Sequence, residues 1–337
     1  MNKNVFIKDI KAGDKMTDIF LVTEKNLAFS QKGNPYLNLR LRDKTGEIDG
    51  RIWDNAIEVN DQFKKGDLIQ AEARAVSYRD AIQLSIFACT VIDTGLVNPA
   101  DFSPSSRFKI DDMFSSLMDI VATIKHPYLK RVLESIFNDQ DIVRAFVHAP
   151  AAKGFHHAYI GGLLEHTLSV SRLLVHCAAH YENIDRDLML TGGILHDIGK
   201  TSELSFDSVI EYTDEGRLVG HIVLGVELLD RKIASINDFP EELALKLRHI
   251  ILSHHGVLEF GSPKRPKTME ALLVNFVDDL DAKVNAFQEF INDSTTDSHW
   301  TPFHRLLERY IYKGSLNASA DTYQQSEMDF PSKNENG

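Results

Sequence analysis

His196 and Asp197 set an imidazole beside a carboxylate inside Gly192-Gly-Ile-Leu-His-Asp-Ile-Gly-Lys200, an otherwise apolar run. A polar pair in such a setting is costly unless something compensates it, and a metal ion is the fitting compensation. Further imidazoles and acids recur at helix-length intervals: His166 upstream, then His221, His254, His255 and Asp278. Taken singly, each histidine reads as a hydrogen-bonded core or rim residue. For Asp278, Asp279 and Asp281 a helix cap or a solvated face is an equal reading. Their joint order reads as a metal-dependent hydrolase.

Composition bounds the rest. The chain has 337 residues, ordinary apolar and charged fractions and a formal net charge of −12. That length favours two domains. The charge cautions against nucleic acid as a partner, although a local positive groove can still hold phosphates. No apolar run approaches the ~20 residues of a membrane span, and the N-terminus lacks a secretory stretch. No membrane partner is expected. Cys89 and Cys177 fit no metal or redox pattern and read as buried thiols of a reducing compartment, so a cytoplasmic location is expected.

The elements that must position the cluster change character along the chain. Residues 1–95 are strand-like: Ile19–Thr23, Tyr36–Arg42 and Ile48–Trp53, then Leu68–Val76 and Ile82–Ile86. Tyr36–Arg42 alternates at period two, and Asp43-Lys-Thr-Gly46 supplies a hairpin turn. Five short strands predict a small closed all-β barrel, since closure removes sheet edges. Residues 96–110, with Pro99 and Pro104, read as a linker. Residues 111–312 show helical spacing, with Pro127 at a helix start and Leu163, Thr167, Val170, Leu174, Cys177 and Tyr181 forming one seam. Helices are expected near 187–198, 219–235, 240–254 and 268–291. Residues 313–337 read as a polar, disordered tail.

The order His166, His196-Asp197, Asp278 resembles the HD-domain metal phosphohydrolase superfamily. That resemblance implies an all-α helical bundle and phosphoester cleavage. Val277-Asp-Asp-Leu-Asp-Ala282 is similar to the superfamily's closing motif, which makes Asp278, not Asp279, the implied ligand. His221, His254 and His255 resemble the additional ligands of two-metal members. Such ligands suit Mn²⁺, Fe²⁺ or Zn²⁺. Two ions ~3.5–4 Å apart can hold both oxygens of an in-line displacement. Asp197 is the natural bridging ligand. Lys200, one turn from His196, reads either as a catalytic cation that neutralises phosphate charge or as an exposed lysine. Lys264, Arg265 and Lys267, stiffened by two prolines, read equally as a phosphate-binding loop and as a solvated turn.

The barrel resembles the OB-fold, which binds single strands through a basic groove and stacking aromatics. Its candidates are Tyr36, Arg40, Arg42, Arg51, Trp53, Arg74, Tyr78 and Arg79, although Tyr36 and Trp53 fit a barrel core equally well. An OB-like domain followed by this HD domain resembles the YhaM family of bacterial 3′–5′ exoribonucleases, over about residues 5–312. The resemblance implies Mn²⁺-supported removal of nucleotides from single-stranded RNA, with single-stranded DNA as a further substrate. A homo-oligomer would help gather a binding groove from so acidic a chain. Two rivals stand beside this expectation. One is a phosphodiesterase or phosphatase on small or cyclic nucleotides with a regulatory barrel. The other is a single-stranded-DNA-binding protein with a structural HD domain.

Overall fold

The structure, a computed structural model, describes residues 2–30, 32–78, 81–98, 101–102, 106, 108–153, 157–205, 210–294, 296, 298–305 and 307–314. Arg79 and the polar tail from 315 onward lie outside the described residues.

Five strands make the N-terminal part: β1 (Lys15–Phe29), β2 (Pro35–Asp43), β3 (Gly46–Ile52), β4 (Leu68–Tyr78) and β5 (Ala81–Ile92). They close into a barrel in the order β1-β2-β3-β5-β4. Along β2, Leu37, Leu39 and Leu41 are buried while Tyr36, Asn38, Arg40 and Arg42 stay partly exposed, the period of two that a half-buried strand requires. β2 and β3 form the expected hairpin, closing at Asp43↔Gly46. β4 and β5 pair antiparallel, and β3 and β5 run parallel. β1 runs beyond its apolar core because pairing sets its end: Leu27 to Phe29 bond to Leu37 to Pro35. Within the segment expected as a linker, Phe102 is buried with Ile19, Leu21, Leu68 and Ile92, so its ring belongs to the barrel.

After the short α1 (Ala56–Asn60) between β3 and β4, the helices are α2 (Ile110–Ala122), α3 (Pro127–Phe137), α4 (Gln140–His148), α5 (Gly162–His180), α6 (Arg186–Leu195) and the one-turn α7 (Lys200–Glu203). The two-residue strands β6 (Leu204–Ser205) and β7 (Glu211–Tyr212) interrupt them, before α8 (Asp214–Leu218), α9 (His221–Ala234), α10 (Glu241–Ser253) and α11 (Met269–Asp293). Asp139 and Asp185 cap α4 and α6 by accepting from backbone amides of their first turns, which satisfies donors the helix leaves free. α6 is buried from Leu188 to Leu195, packed by α5 and α10. α5 differs from its expected single seam: Leu164, His166, Leu168 and Ser171 are buried as well, while Tyr181 is exposed. α2, α4 and α6 all pack against it.

The chain divides into two compact units, Met1–Lys283 and Val284–Gly337. In the first, the barrel and the helices keep separate hydrophobic cores. In the second, bridges join Trp300 to Tyr312 and His304 to Arg309. Among the described residues no helix is long and apolar enough to cross a membrane.

Candidate metal centre and nucleic-acid face

Five elements deliver the cluster. His166 lies in the second turn of α5, and His196-Asp197 follow the last residue of α6. His221 opens α9, His254 caps the C-terminus of α10 with His255 next, and Asp278 lies on α11. The fold brings all of them together as two four-residue groups that share Asp197: His166, His196, Asp197 and Asp278, and Asp197, His221, His254 and His255. Within each group the candidate ligand atoms lie within 4.8 Å of one another. Asp197 Oδ2 is 3.6 Å from His166 Nε2 and 3.4 Å from His196 Nε2. Its other oxygen, Oδ1, is 3.6 Å from His221 Nε2 and 3.5 Å from His254 Nε2. One carboxylate thus faces both groups.

The imidazoles are aimed by their outer nitrogens. His196 Nδ1 donates to Gly193 O at 2.7 Å, His254 Nδ1 to Ile251 O at 2.7 Å and His255 Nδ1 to Phe260 O at 2.8 Å. A carbonyl can only accept, so a neutral ring here carries its proton on Nδ1 and turns its Nε2 lone pair toward the cluster. His166 Nδ1 donates to Asp281 and His221 Nδ1 to Glu203, at 2.7 and 2.9 Å. Metal-bound histidines are held in this way, with the far nitrogen bonded to a carbonyl or carboxylate.

The donor set fits a divalent cation on its own evidence. Asp197 Oδ1, His221 Nε2 and His254 Nε2 are buried and accept or donate no hydrogen bond. Each such orphan costs about 1–3 kcal/mol, and one cation coordinated by all three removes the cost. Electrostatics agree. Burial alone would lower the His196 pKa, but the charge of Asp197 and hydrogen bonds to Asp197 and Asp278 reverse this and push it up to about 10. The carboxylates draw positive charge into the pocket. Burial is the main opponent of charge on Asp197, yet Lys200 and His196 hold it well below the usual carboxylate range. His254 is lowered by burial, and His255 is pushed down to about 4 by burial and by His254. Both candidate ligands are therefore neutral at neutral pH.

Gly199 explains part of the His-Asp-Ile-Gly-Lys run. A Cβ there would lie 2.0 Å from His221 O and 2.5 Å from Gly225 N. Only glycine lets the start of α9 approach closely enough to bring His221 to Asp197. Lys200 is buried, and its Nζ donates to Asp197 Oδ2 at 2.6 Å. The exposed reading of this lysine is therefore corrected, and its charge belongs to the pocket.

Of the two readings open for the basic loop, the structure lies nearer the turn. Lys264, Arg265 and Lys267 do not line the pocket around the cluster, whereas Lys200 and Lys283 do. The Ser262 hydroxyl bonds Leu252 O and Lys264 O, and the Lys267 amide donates to His249 Nε2. These bonds hold the loop against α10. Sequence reasoning missed Glu203, His157 and Ser169, and it left Asp281 as a cap or a solvated acid. Asp281, one turn after Asp278, carried a usable periodic signal. His157 carried none, because its approach to Asp281 spans 124 residues.

On the barrel, Tyr36 and Trp53 stack with ring centroids 4.7 Å apart and planes at 22°. Arg51 lies over the Tyr36 and Tyr78 rings at 5.9 and 5.1 Å. Trp53 is 47% exposed and Tyr78 46%, so neither fills the core. Register carries Arg51 and Arg74 into one cross-strand row, Asn38–Arg51–Ser85–Arg74–Lys15. Arg40 and Arg42 are instead occupied: Arg40 bonds Glu47 and Asp49, and Arg42 bonds Glu47.

A family model described as the HD domain matches residues 163–283, and one described as the OB-fold nucleic acid binding domain matches residues 21–92. The first span contains every candidate ligand. Among solved structures, the chain is similar to the second OB-fold domain of replication protein A from Methanococcus maripaludis, at 21% identity over 28% of this chain and 97% of that one, TM-score 0.23. It is also similar to the mitochondrial single-stranded DNA binding protein Rim1 from S. cerevisiae, at 16% identity over 25% and 97% of the two chains, TM-score 0.23. Strand order and the family match define the barrel independently of these likenesses. The chain carries an OB-fold nucleic acid binding domain followed by an HD domain, the pairing of a nucleic-acid-related, metal-dependent phosphohydrolase.

Proposed function

We propose that this protein is a 3′–5′ exonuclease of the YhaM type that removes nucleotides from single-stranded RNA, with single-stranded DNA as a further substrate. The observation that carries the reading is the division of Asp197 between two imidazole-rich groups, in a chain whose barrel exposes a stacked Tyr36–Trp53 pair. Direction of attack and preference for RNA rest on the family resemblance in the motifs. His166, His196, Asp197 and Asp278 would hold one cation and Asp197, His221, His254 and His255 a second, with Mn²⁺ favoured over Fe²⁺ or Zn²⁺. When bound, such ions lower the pKa of a water toward neutrality and offset phosphate charge.

The chain's own residues do the rest. Glu203 fixes His221 through both its backbone amide and Nδ1. Lys200, with its pKa raised by Asp197 against the effect of burial, stays charged and supplies a cation beside the phosphate position. The exposed barrel aromatics give a strand a sequence-tolerant foothold. The free thiols of Cys89 and Cys177 suit a cytoplasmic setting, and self-association would bring barrel faces together.

Single-stranded RNA labelled at its 5′ end decides the matter. A ladder that shortens from the 3′ end with Mn²⁺ and stops with chelator is expected. Turnover of free or cyclic nucleotides with no ladder would move the assignment to a small-nucleotide phosphodiesterase.

A further inference from the structure

We propose that Phe260 and Phe276 form a base-stacking subsite at the metal pocket, holding the nucleobase of the terminal nucleotide while its phosphodiester lies at the Asp197 cluster. This inference rests on the nuclease reading and names how that site takes its substrate. The cavity of about 460 Å³ falls in the range that binds small ligands. His221, His254, His255 and Asp278 line it together with both phenylalanines. Phe260 is 71% exposed and Phe276 61%. Burying such a side chain is worth about 1.5–3 kcal/mol, and this fold forgoes most of that gain twice within one pocket.

Both rings are carried by segments tied to the candidate ligands. Phe260 closes a short turn whose carbonyl accepts the His255 Nδ1 proton, and Gly261 ends that turn at φ +88°. Phe276 follows Asn275, whose Nδ2 donates to His254 O at 2.6 Å. Gly256 makes room for that bond, since a Cβ there would lie 2.8 Å from the Asn275 side chain. The backbone at Phe260 and the residue before Phe276 are therefore tied to His255 and His254.

The chemistry selects the occupant. With cations held by the Asp197 cluster the pocket would offer an anion site, with Lys200 in its wall and directly beside two flat apolar faces; Lys283 is paired with Asp279. A nucleotide presents a phosphate and a π-face on one small unit. Phenylalanine offers no donor or acceptor to read base edges, so the subsite accepts every base.

The test uses the full-length protein and single-stranded RNA ending in 2-aminopurine. With chelator present, binding to wild type should quench the terminal fluorophore, and the Phe260→Ala/Phe276→Ala double variant should lose that quench. Phe276→Tyr should retain it. Both rings are exposed, so melting temperature and Mn²⁺ binding should match wild type. With Mn²⁺ added, wild type should show a KM roughly tenfold lower for a base-bearing 3′ end than for an abasic one, and the double variant should treat them alike. A wild type that cleaves RNA with no regard to the terminal base overturns the subsite and leaves the nuclease standing. A wild type that cleaves no RNA overturns the nuclease, and the subsite with it.

Discussion

Asp281 Oδ2 accepts a hydrogen bond from His166 Nδ1 at 2.7 Å. The same oxygen bonds His157 Nε2 at 3.1 Å, and Oδ1 accepts from the Ser169 hydroxyl. The carboxylate thereby turns His166 so that its Nε2 faces Asp278 at 3.2 Å. Carboxylates that orient a ligating histidine typically contribute 10–100-fold to metal affinity. Asp281→Asn should therefore weaken Mn²⁺ binding by about that factor while every candidate ligand stays in place. Calorimetric titration of Mn²⁺ measures it, and unchanged affinity would reduce the contact to packing.

The barrel's cations should not contribute equally. Arg40 already holds Asp49 at 2.6 Å and Glu47 at 3.1 Å, so Arg40→Ala should leave affinity for single-stranded RNA within about twofold, as for other exposed ion pairs of small worth. Trp53→Ala removes half of an exposed stack and should raise Kd about tenfold. Arg74→Ala removes one exposed charge from the row that holds Arg51, and should flatten the slope of log affinity against log salt by about 0.7. Fluorescence anisotropy over a salt series separates the three.

The legible and illegible parts of this chain divide by range. Period-two alternation in Tyr36–Arg42 and helical spacing around Leu163 are local, and each specifies its element through residues only a few positions apart. The cluster was legible because His196-Asp197 in an apolar run is chemically expensive and its partners recur at helix intervals. What stayed open in the sequence was non-local. Whether Arg40 is free depends on which acid the register sets across from it, here Asp49. Whether Lys264, Arg265 and Lys267 reach the pocket depends on Ser262 and His249. Asp278 and Asp281 share one turn of α11 and differ only in what other helices bring to them.

Glu211 carries a pH-dependent tie within the first unit. Its carboxylate bonds Lys153 at 2.6 Å and also Lys65, which lies between the barrel strands β3 and β4. Hydrogen bonds from Lys153 and then Lys65 lower its pKa from 4.5 to about 2. A depressed folded-state pKa means that the stabilisation is full above the unfolded value and is lost as pH falls through the folded one. Solvent screening at this partly exposed site limits it to about 1 kcal/mol or less. Glu211→Gln should thus melt slightly below wild type at pH 7, and the gap should close between about pH 4.5 and 2. A gap that persists at pH 2 in thermal melts would show that the ion pairs are not its source.

Gly199 offers a way to separate the two halves of the centre. Its φ of −65° is open to any residue, so Gly199→Ala brings no backbone strain. It brings a Cβ to within 2.0 Å of His221 O, a backbone atom that can yield only if the start of α9 moves. Overpacking of this kind costs about 1–3 kcal/mol. The displacement falls on His221, whereas His166, His196 and Asp278 sit on α5, after α6 and on α11. The variant should therefore remain folded with a lowered melting temperature, bind no Mn²⁺ at the His221 group, and keep a site at His166, His196, Asp197 and Asp278. Mn²⁺ titration followed by electron paramagnetic resonance counts the sites that survive. Loss of both together would mean that Asp197, rather than His221, is moved when α9 shifts.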